Sequence, residues 1–328
     1  MRGCSSLVHD TLDRRKAHPS GVIANSSSLP FPQIEVKSVL VATDLSESSE
    51  KTLEHGIAIA RHYGAILYLV YVVSSLGFTL AGPEAVELAA QASQRDIDTL
   101  VHRLSASGRL DGVDARPCIL KGKFDDEIDR FAQAHRVDLI VVGSHGRMGL
   151  AKLVLGSVAE TIAKRCSSPI LTVGPQAQGP WLDNPDHREK PLMLATAFAS
   201  GSDTPTRFAV ALAHHFERPL FVLHLVPPRY TFLRNQHGLT HDVDGPWSKA
   251  QPTSLIPGGT SVKSAFTSVT ETCDSAKGIL AAADRIRAAT IVIAEHRDAH
   301  PYLAFWHSRG VLDHVNREAR CPVLTMRA

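Results

Sequence analysis

A chain of 328 residues is long enough for about two domains of roughly 150 residues each. With 44% hydrophobic and 21% charged residues it has the composition of a soluble globular protein with ample core. A net charge of +2 gives no reason to expect a nucleic-acid partner or an anionic membrane surface. Five cysteines (Cys4, Cys118, Cys166, Cys273 and Cys321) form no CxxC and leave an odd thiol, which fits a reducing cytoplasm better than secretion. The 17 histidines are scattered, with no metal spacing to a cysteine, and no apolar stretch has the length of a membrane span. The basic residues near the start (Arg2, Arg14, Arg15, Lys16) lack the apolar segment of a secretory signal. Residues 1–35, with Ser26-Ser27-Ser28 and Pro30-Phe31-Pro32, read as a poorly ordered tail.

In chain order, the continuous apolar run from Ser38 to Thr43 suits a central strand covered on both faces. It ends at Asp44, with Ser46 placed to cap a helix from about Glu47 to Tyr63 that carries Leu53, Ile57 and Ala60 on one face. Ala65 to Val73 is the second strand, and a loop from Gly77 to Pro83 leads into a long helix from about Glu84 to Ala106. Ala115 to Leu120 reads as a third strand at the sheet edge, because Pro117 cannot donate to a ladder. A helix from about Asp125 to His135, a strand from Asp138 to Val142, a helix from Gly156 to Arg165 and a strand from Pro169 to Val173 complete the unit. Such alternation predicts a parallel, doubly wound α/β sheet. Ligands of these sheets sit beyond the carboxyl ends of the strands, where strand order reverses, and Asp44, Val72 and Gly143 all fall at such ends.

Residues 175–189 are a linker by composition, and residues 190–328 then repeat residues 36–174. Lys190-Pro-Leu-Met-Leu-Ala-Thr-Ala197 lies over Lys37-Ser-Val-Leu-Val-Ala-Thr-Asp44, an offset of 190 − 37 = 153. His215-Phe216 falls over His62-Tyr63 and Leu220–Val226 over Leu67–Val73 at the same offset, and Ala289–Ala294 and Cys321–Thr325 repeat the last two strands. A repeat this long is a domain duplication. The trailing copy differs where ligand chemistry would occur: Ala197 replaces Asp44, Ala294-Glu-His-Arg297 replaces Gly143-Ser-His-Gly146, and Arg309-Gly310 stands for Gly156-Ser157. Residues 227–259 form a Pro/Gly/His-rich insert without helical periodicity, read as a long loop.

The stretch from Val141 to Ser157 carries the functional signal. A buried strand runs into Gly143, Gly146 and Gly149, and Gly156-Ser157 then opens an amphipathic helix. A glycine turn after a strand, with a hydroxyl and unpaired N–H groups at a helix start, is how α/β folds hold phosphate. The spacing Gly143-x2-Gly146-x9-Gly156-Ser157, with Asp138-Leu-Ile-Val-Val-Gly-Ser-His-Gly146 and Gly156-Ser-Val-Ala-Glu-Thr-Ile162 around it, resembles the ATP-binding signature of the universal stress protein family.

The resemblance implies two tandem five-stranded sheets of Rossmann-type, adenine-nucleotide α-hydrolase-like α/β/α architecture, and a stress-response protein that binds ATP with Mg2+ and associates through sheet-edge or last-strand contacts, as a homodimer or a pseudo-dimer within the chain. By position it implies that Ala42, Thr43 and Asp44 face the nucleoside, that the Val72 backbone meets adenine, and that Gly143, Ser144, His145, Gly146 and Arg147 line the turn over ribose and phosphates. Gly156, Ser157 and Val158 would supply N–H groups and a hydroxyl to the phosphates, with Lys152 in the loop between. Ala42 replaces a proline frequent in the family. The trailing copy, lacking the aspartate and the glycines, is expected to be a structural pseudo-partner without ATP, and protein partners are unspecified. No catalytic set accompanies the turn, no protein metal site is read, and neither a Gly-x4-Gly-Lys-Ser/Thr loop nor a Ser-Gly-Gly-x-Asp-Ser loop is present. Slow ATP hydrolysis is compatible with the sequence, whereas a dedicated ATPase or adenylating enzyme is not expected; the alternative to nucleotide binding is a ligand-free interaction scaffold that uses the 227–259 insert.

Overall fold

The computed structural model describes residues 34–74, 82–144, 162, 165–180, 182, 189–196, 203–226, 266–272, 275–295 and 310–327. The leading half contributes β1 (Ser38–Ala42), α1 (Glu50–Tyr63, entered through a 3-10 turn at Glu47–Ser49), β2 (Ile66–Ser74), α2 (Gly82–Ala106), β3 (Asp114–Gly122), α3 (Phe124–His135), β4 (Leu139–Gly143) and β5 (Ile170–Val173). The trailing half contributes β6 (Leu192–Thr196), α4 (Asp203–His215), β7 (Leu220–Val226), β8 (Phe266–Thr272), α5 (Ser275–Ile286), β9 (Thr290–Glu295), α6 (Val311–Glu318) and β10 (Val323–Arg327). Residues 1–33 and the insert at 227–259 lie outside the described residues. Ile34, within the stretch that composition assigns to the tail, is half-buried against the core.

Each half is the expected parallel sheet, with β3 at the edge of the first as Pro117 requires. The two sheets are, however, one. The strand order is β3-β2-β1-β4-β5-β10-β9-β6-β7-β8, and among the described residues the single antiparallel pairing is β5 with β10, Leu171 opposite Leu324. Joining the last strands removes two open edges that would otherwise present unpaired N–H and C=O groups.

Strand alternation distributes the core between two faces. Val39, Val41, Leu67, Leu69 and Val141 point to the α1–α2 face, while Leu40, Val70, Ile140 and Val142 point to the α3 face with Ile128 and Ile162. The α1–α2 cluster continues across the junction into Leu192, Leu194, Val210 and Leu212, so the halves share one apolar core on that face. The opposite face of the trailing half has its own cluster, in which Ile279 of α5 and Val315 of α6 cover Ile291 and Val323.

The segment read as a linker is docked. Ala177 is buried, Lys51 Nζ donates to Pro175 O (2.7 Å), His55 Nε2 lies 3.0 Å from Gln178 O, and Gln178 N donates to Arg320 O (3.0 Å). Gly174 allows this path: a Cβ there would sit 2.8 Å from the carbonyl oxygen of Asn316 in α6.

The ends of α1 and α4 meet across the junction. The Tyr63 ring stacks on His215 at 5.6 Å, and His62 lies 5.9 Å from His215 and 5.2 Å from Phe216. Burial, with His62 and His214 nearby, holds the His215 imidazole below its ordinary pKa. The unfolded chain therefore takes up a proton at this position before the folded one does, and stability falls as pH drops through about 6.5. Urea unfolding at pH 7.5 and pH 5 is expected to show a smaller loss on acidification for His215→Gln than for the unaltered chain. An identical loss would exclude this histidine as a source.

Candidate functional site

The strand order reverses between β1 and β4, with β2 on one side of β1 and β4 on the other, and the carboxyl ends there frame a crevice. Pairing of β1 with β2 stops at Ala42 opposite Val70, while β2 runs on to Ser74. Ile66 N donates to Lys37 O and Thr43 N donates to Val70 O, so the even-numbered residues of β2 direct their main-chain groups toward β1. The N–H and C=O of Val72 therefore face the same side, past the end of β1, where no described strand pairs with them. The Val72 side chain itself is a core residue. Gly143 and Ser144 extend β4 beyond its pairing with Ala42, and Ser144 N is used by Val173 O (3.0 Å).

A tight polar turn follows β1. Leu45 adopts a left-handed φ of 59°, uncommon for a bulky residue, and donates its N–H to Thr43 Oγ1 at 3.0 Å. Asp44 Oδ1 accepts from Ser46 N (3.1 Å) and from Ser46 Oγ, which orients the half-exposed carboxylate. Buried Thr43 shares a 3.0 Å hydrogen bond with Ser49, whose hydroxyl donates to Ser46 O. Neither Ser46 nor Ser49 makes a side-chain cap to the helix N–H groups, so the capping expected of Ser46 is replaced by this turn network.

Tyr71, next to Val72 and facing α2, was not distinguished by sequence reasoning. Burial pushes its hydroxyl up, Ser93 opposes this by hydrogen bonding, and the charges of Asp44 and Asp96 add to the rise. Its position at the end of a strand was the only signal that could have marked it. Burial likewise pushes the thiols of Cys166 and Cys321 up to about 12, which argues against reactive cysteines there.

Of the residues singled out by sequence, Ala42, Thr43, Asp44, Val72, Gly143 and Ser144 come to the carboxyl edge of three adjacent strands. His145, Gly146, Arg147, Lys152, Gly156, Ser157 and Val158 lie outside the described residues. In the trailing half, Ala195 is paired with Ile293 as Ala42 is with Val142, so register puts Ala294 at the place of Gly143 and Glu295 at that of Ser144. Among the described residues no group of three or more His, Cys, Asp or Glu side chains could hold a metal ion, and no helix is long and apolar enough to cross a membrane.

The sequence profile described as the universal stress protein family matches residues 35–174 and again residues 189–327. The chain belongs to the universal stress protein family. A universal stress protein of Methanocaldococcus jannaschii, MJ0531, is 32% identical over 138 residues, covering 42% of this chain and 81% of the relative. YxiE of Bacillus subtilis, also named a universal stress protein, is 30% identical over 144 residues, 41% of this chain and 97% of the relative. In three dimensions the chain is similar to a universal stress protein of Archaeoglobus fulgidus, with a TM-score of 0.65 and 18% identity over 89% of this chain and 97% of that one. That likeness spans both halves, so the tandem α/β arrangement is one already seen in a universal stress protein.

Proposed function

We propose that this tandem universal stress protein holds one ATP per chain in the leading half, with Mg2+ on its phosphates, and acts as a nucleotide-responsive regulatory protein rather than an enzyme. The observation that carries the reading is the pair of main-chain groups of Val72 directed past the end of β1, across from Gly143 and Ser144. A backbone donor and acceptor on one residue can read the edge of a purine, and the side chain there is free to serve the core. The turn at Thr43–Ser46 holds the Asp44 carboxylate at the crevice, where it would meet the nucleoside, and the spacing Gly143-x2-Gly146-x9-Gly156-Ser157 would offer small residues and N–H groups to the phosphates. Mg2+ keeps most of its ligands as water and phosphate oxygen and needs only one or two carboxylates, which suits a site where Asp44 is the acid on the turn.

The trailing half is read as the non-binding partner. Register sets an acidic residue, Glu295, at the Ser144 position, and negative charge there would disfavour a phosphate. Regulation requires that ATP favour one conformation over another. Hydrogen bonds from Lys51 and His55 on α1 to Pro175 and Gln178, and on to Arg320, give a continuous connection from the crevice to the trailing half.

Calorimetric titration with Mg-ATP is expected to give one equivalent per chain and no binding to a Gly156→Asp variant that retains its far-UV spectrum. Two equivalents, or undiminished binding by the variant, would reject the assignment.

A further inference from the structure

At the end of the sheet away from the crevice, a cavity of about 200 Å3 lies between the two halves. Part of its wall comes in related pairs. Tyr63 and Phe216, and Leu171 and Leu324, are separated by the repeat offset (216 − 63 = 324 − 171 = 153), and Leu139 is matched by Thr290, which holds the same register against β6 that Leu139 holds against β1. The cavity therefore sits on the pseudo-twofold axis, where α1 and α4 lean over the junction of β5 and β10. Protein interiors contain few voids larger than a water molecule, and the atoms lining an apolar void lack contacts on one side. Enclosed apolar cavities of about 150 Å3 take up benzene, and this one, of similar size and partly open to solvent, has a route of entry as well as room for such a guest.

The lining narrows the ligand class. Tyr63, Phe208 and Phe216 present three rings, which favours a flat aromatic guest over a branched one. The charged groups lining the cavity are both acidic: exposed Glu35, which pairs with Lys37 at 3.1 Å, and Asp138, whose Oδ2 accepts from Lys37 N (2.8 Å) and Ser38 N (3.0 Å). The Asp138 carboxylate, with no cationic side chain among the described lining residues to offset it, disfavours a fatty acid or an aromatic acid. We propose that this cavity binds a neutral aromatic molecule of one ring or two fused rings, at a site separate from the nucleotide crevice and drawing on both halves of the chain.

Indole is the probe, added to the full chain and followed by saturation-transfer NMR and heat unfolding. The expected result is saturable binding, a raised unfolding midpoint, competition by toluene, no competition by benzoate, and no displacement by saturating Mg-ATP. Ala211, which lines the cavity on α4, is the position to fill. Ala211→Phe is expected to weaken indole about tenfold or more by occupying its contacts. If that variant does not fold, Ala211→Val removes part of the space and is expected to weaken indole several-fold. Failure of indole to saturate the unaltered chain, equal affinity in the folded Ala211 variant, or displacement by Mg-ATP would each overturn the proposal. Because the readout is indole, it fails or succeeds independently of whether ATP binds.

Discussion

Exchanging Gly56 for alanine is expected to destabilise the protein by about 1–3 kcal/mol, the usual cost of overpacking a core. In an ordinary helix interior the same exchange gains about 1 kcal/mol, so the sign itself is diagnostic. Gly56 lies in the middle of α1 on the face pressed against β1, and a Cβ built there would come within 2.1 Å of Val41 Cγ2. Val41 is fully buried in a central strand, and a β-branched side chain has no easy alternative rotamer. The trailing half offers an internal control: its equivalent is Ala209 (56 + 153), fully buried on α4 with Leu194 at the Val41 position, so alanine is accommodated there. Urea unfolding should show the loss for Gly56→Ala and its recovery in the Val41→Ala, Gly56→Ala double variant, since the two residues are in direct contact. An unchanged or raised midpoint for the single variant would show that α1 can lift away from the sheet at little cost.

The second large effect concerns assembly. A chain cut to residues 34–182 is expected to dimerise, because it exposes the β5 edge and the apolar surface around Ile59, Tyr63 and Leu171 that the trailing half covers. The duplicated sequence offers the same solution to two copies of the leading half: last strand against last strand, antiparallel, with one core across the join. Light scattering should give twice the fragment mass. Leu171→Lys in the same fragment would set two like charges close together at the axis and should yield monomer or insoluble protein. A soluble, natively folded monomer from the unaltered fragment would show that the shared core is not what holds the halves together.

The strands around the crevice were legible because both their faces are covered. Ser38–Ala42 and Leu139–Gly143 are uninterrupted apolar runs, and only a central parallel strand gives such a run followed at once by polar or glycine residues. The same logic placed Asp44, Val72 and Gly143 at one edge. What composition and periodicity could not give was anything that depends on two distant segments meeting; only the resemblance to the family suggested that the last strands would do so. The pairing of Leu171 with Leu324 spans more of the chain than any periodicity can encode. Pro175, Gly179 and Pro180 marked the next segment as a connection, yet Lys51 and His55, unremarkable residues of a helix, fasten its carbonyls. In the trailing half β8 and α5 went unidentified because they follow the insert, although Phe266-Thr-Ser-Val-Thr-Glu-Thr272 has the β-branched content of a strand. At the site, the turn of Thr43 to Ser49 replaced the simple cap that Ser46 suggested, since Asp44 competes for the same hydroxyl.

Meeting of β5 and β10 within one polypeptide has a kinetic and thermodynamic consequence. Separate copies associate only above a concentration set by their affinity, whereas tethered partners see each other at an effective concentration fixed by the tether, which for a short connection reaches roughly millimolar values. Dilution therefore cannot part these halves, and expression level does not govern whether they are joined. Each keeps its counterpart for the lifetime of the chain.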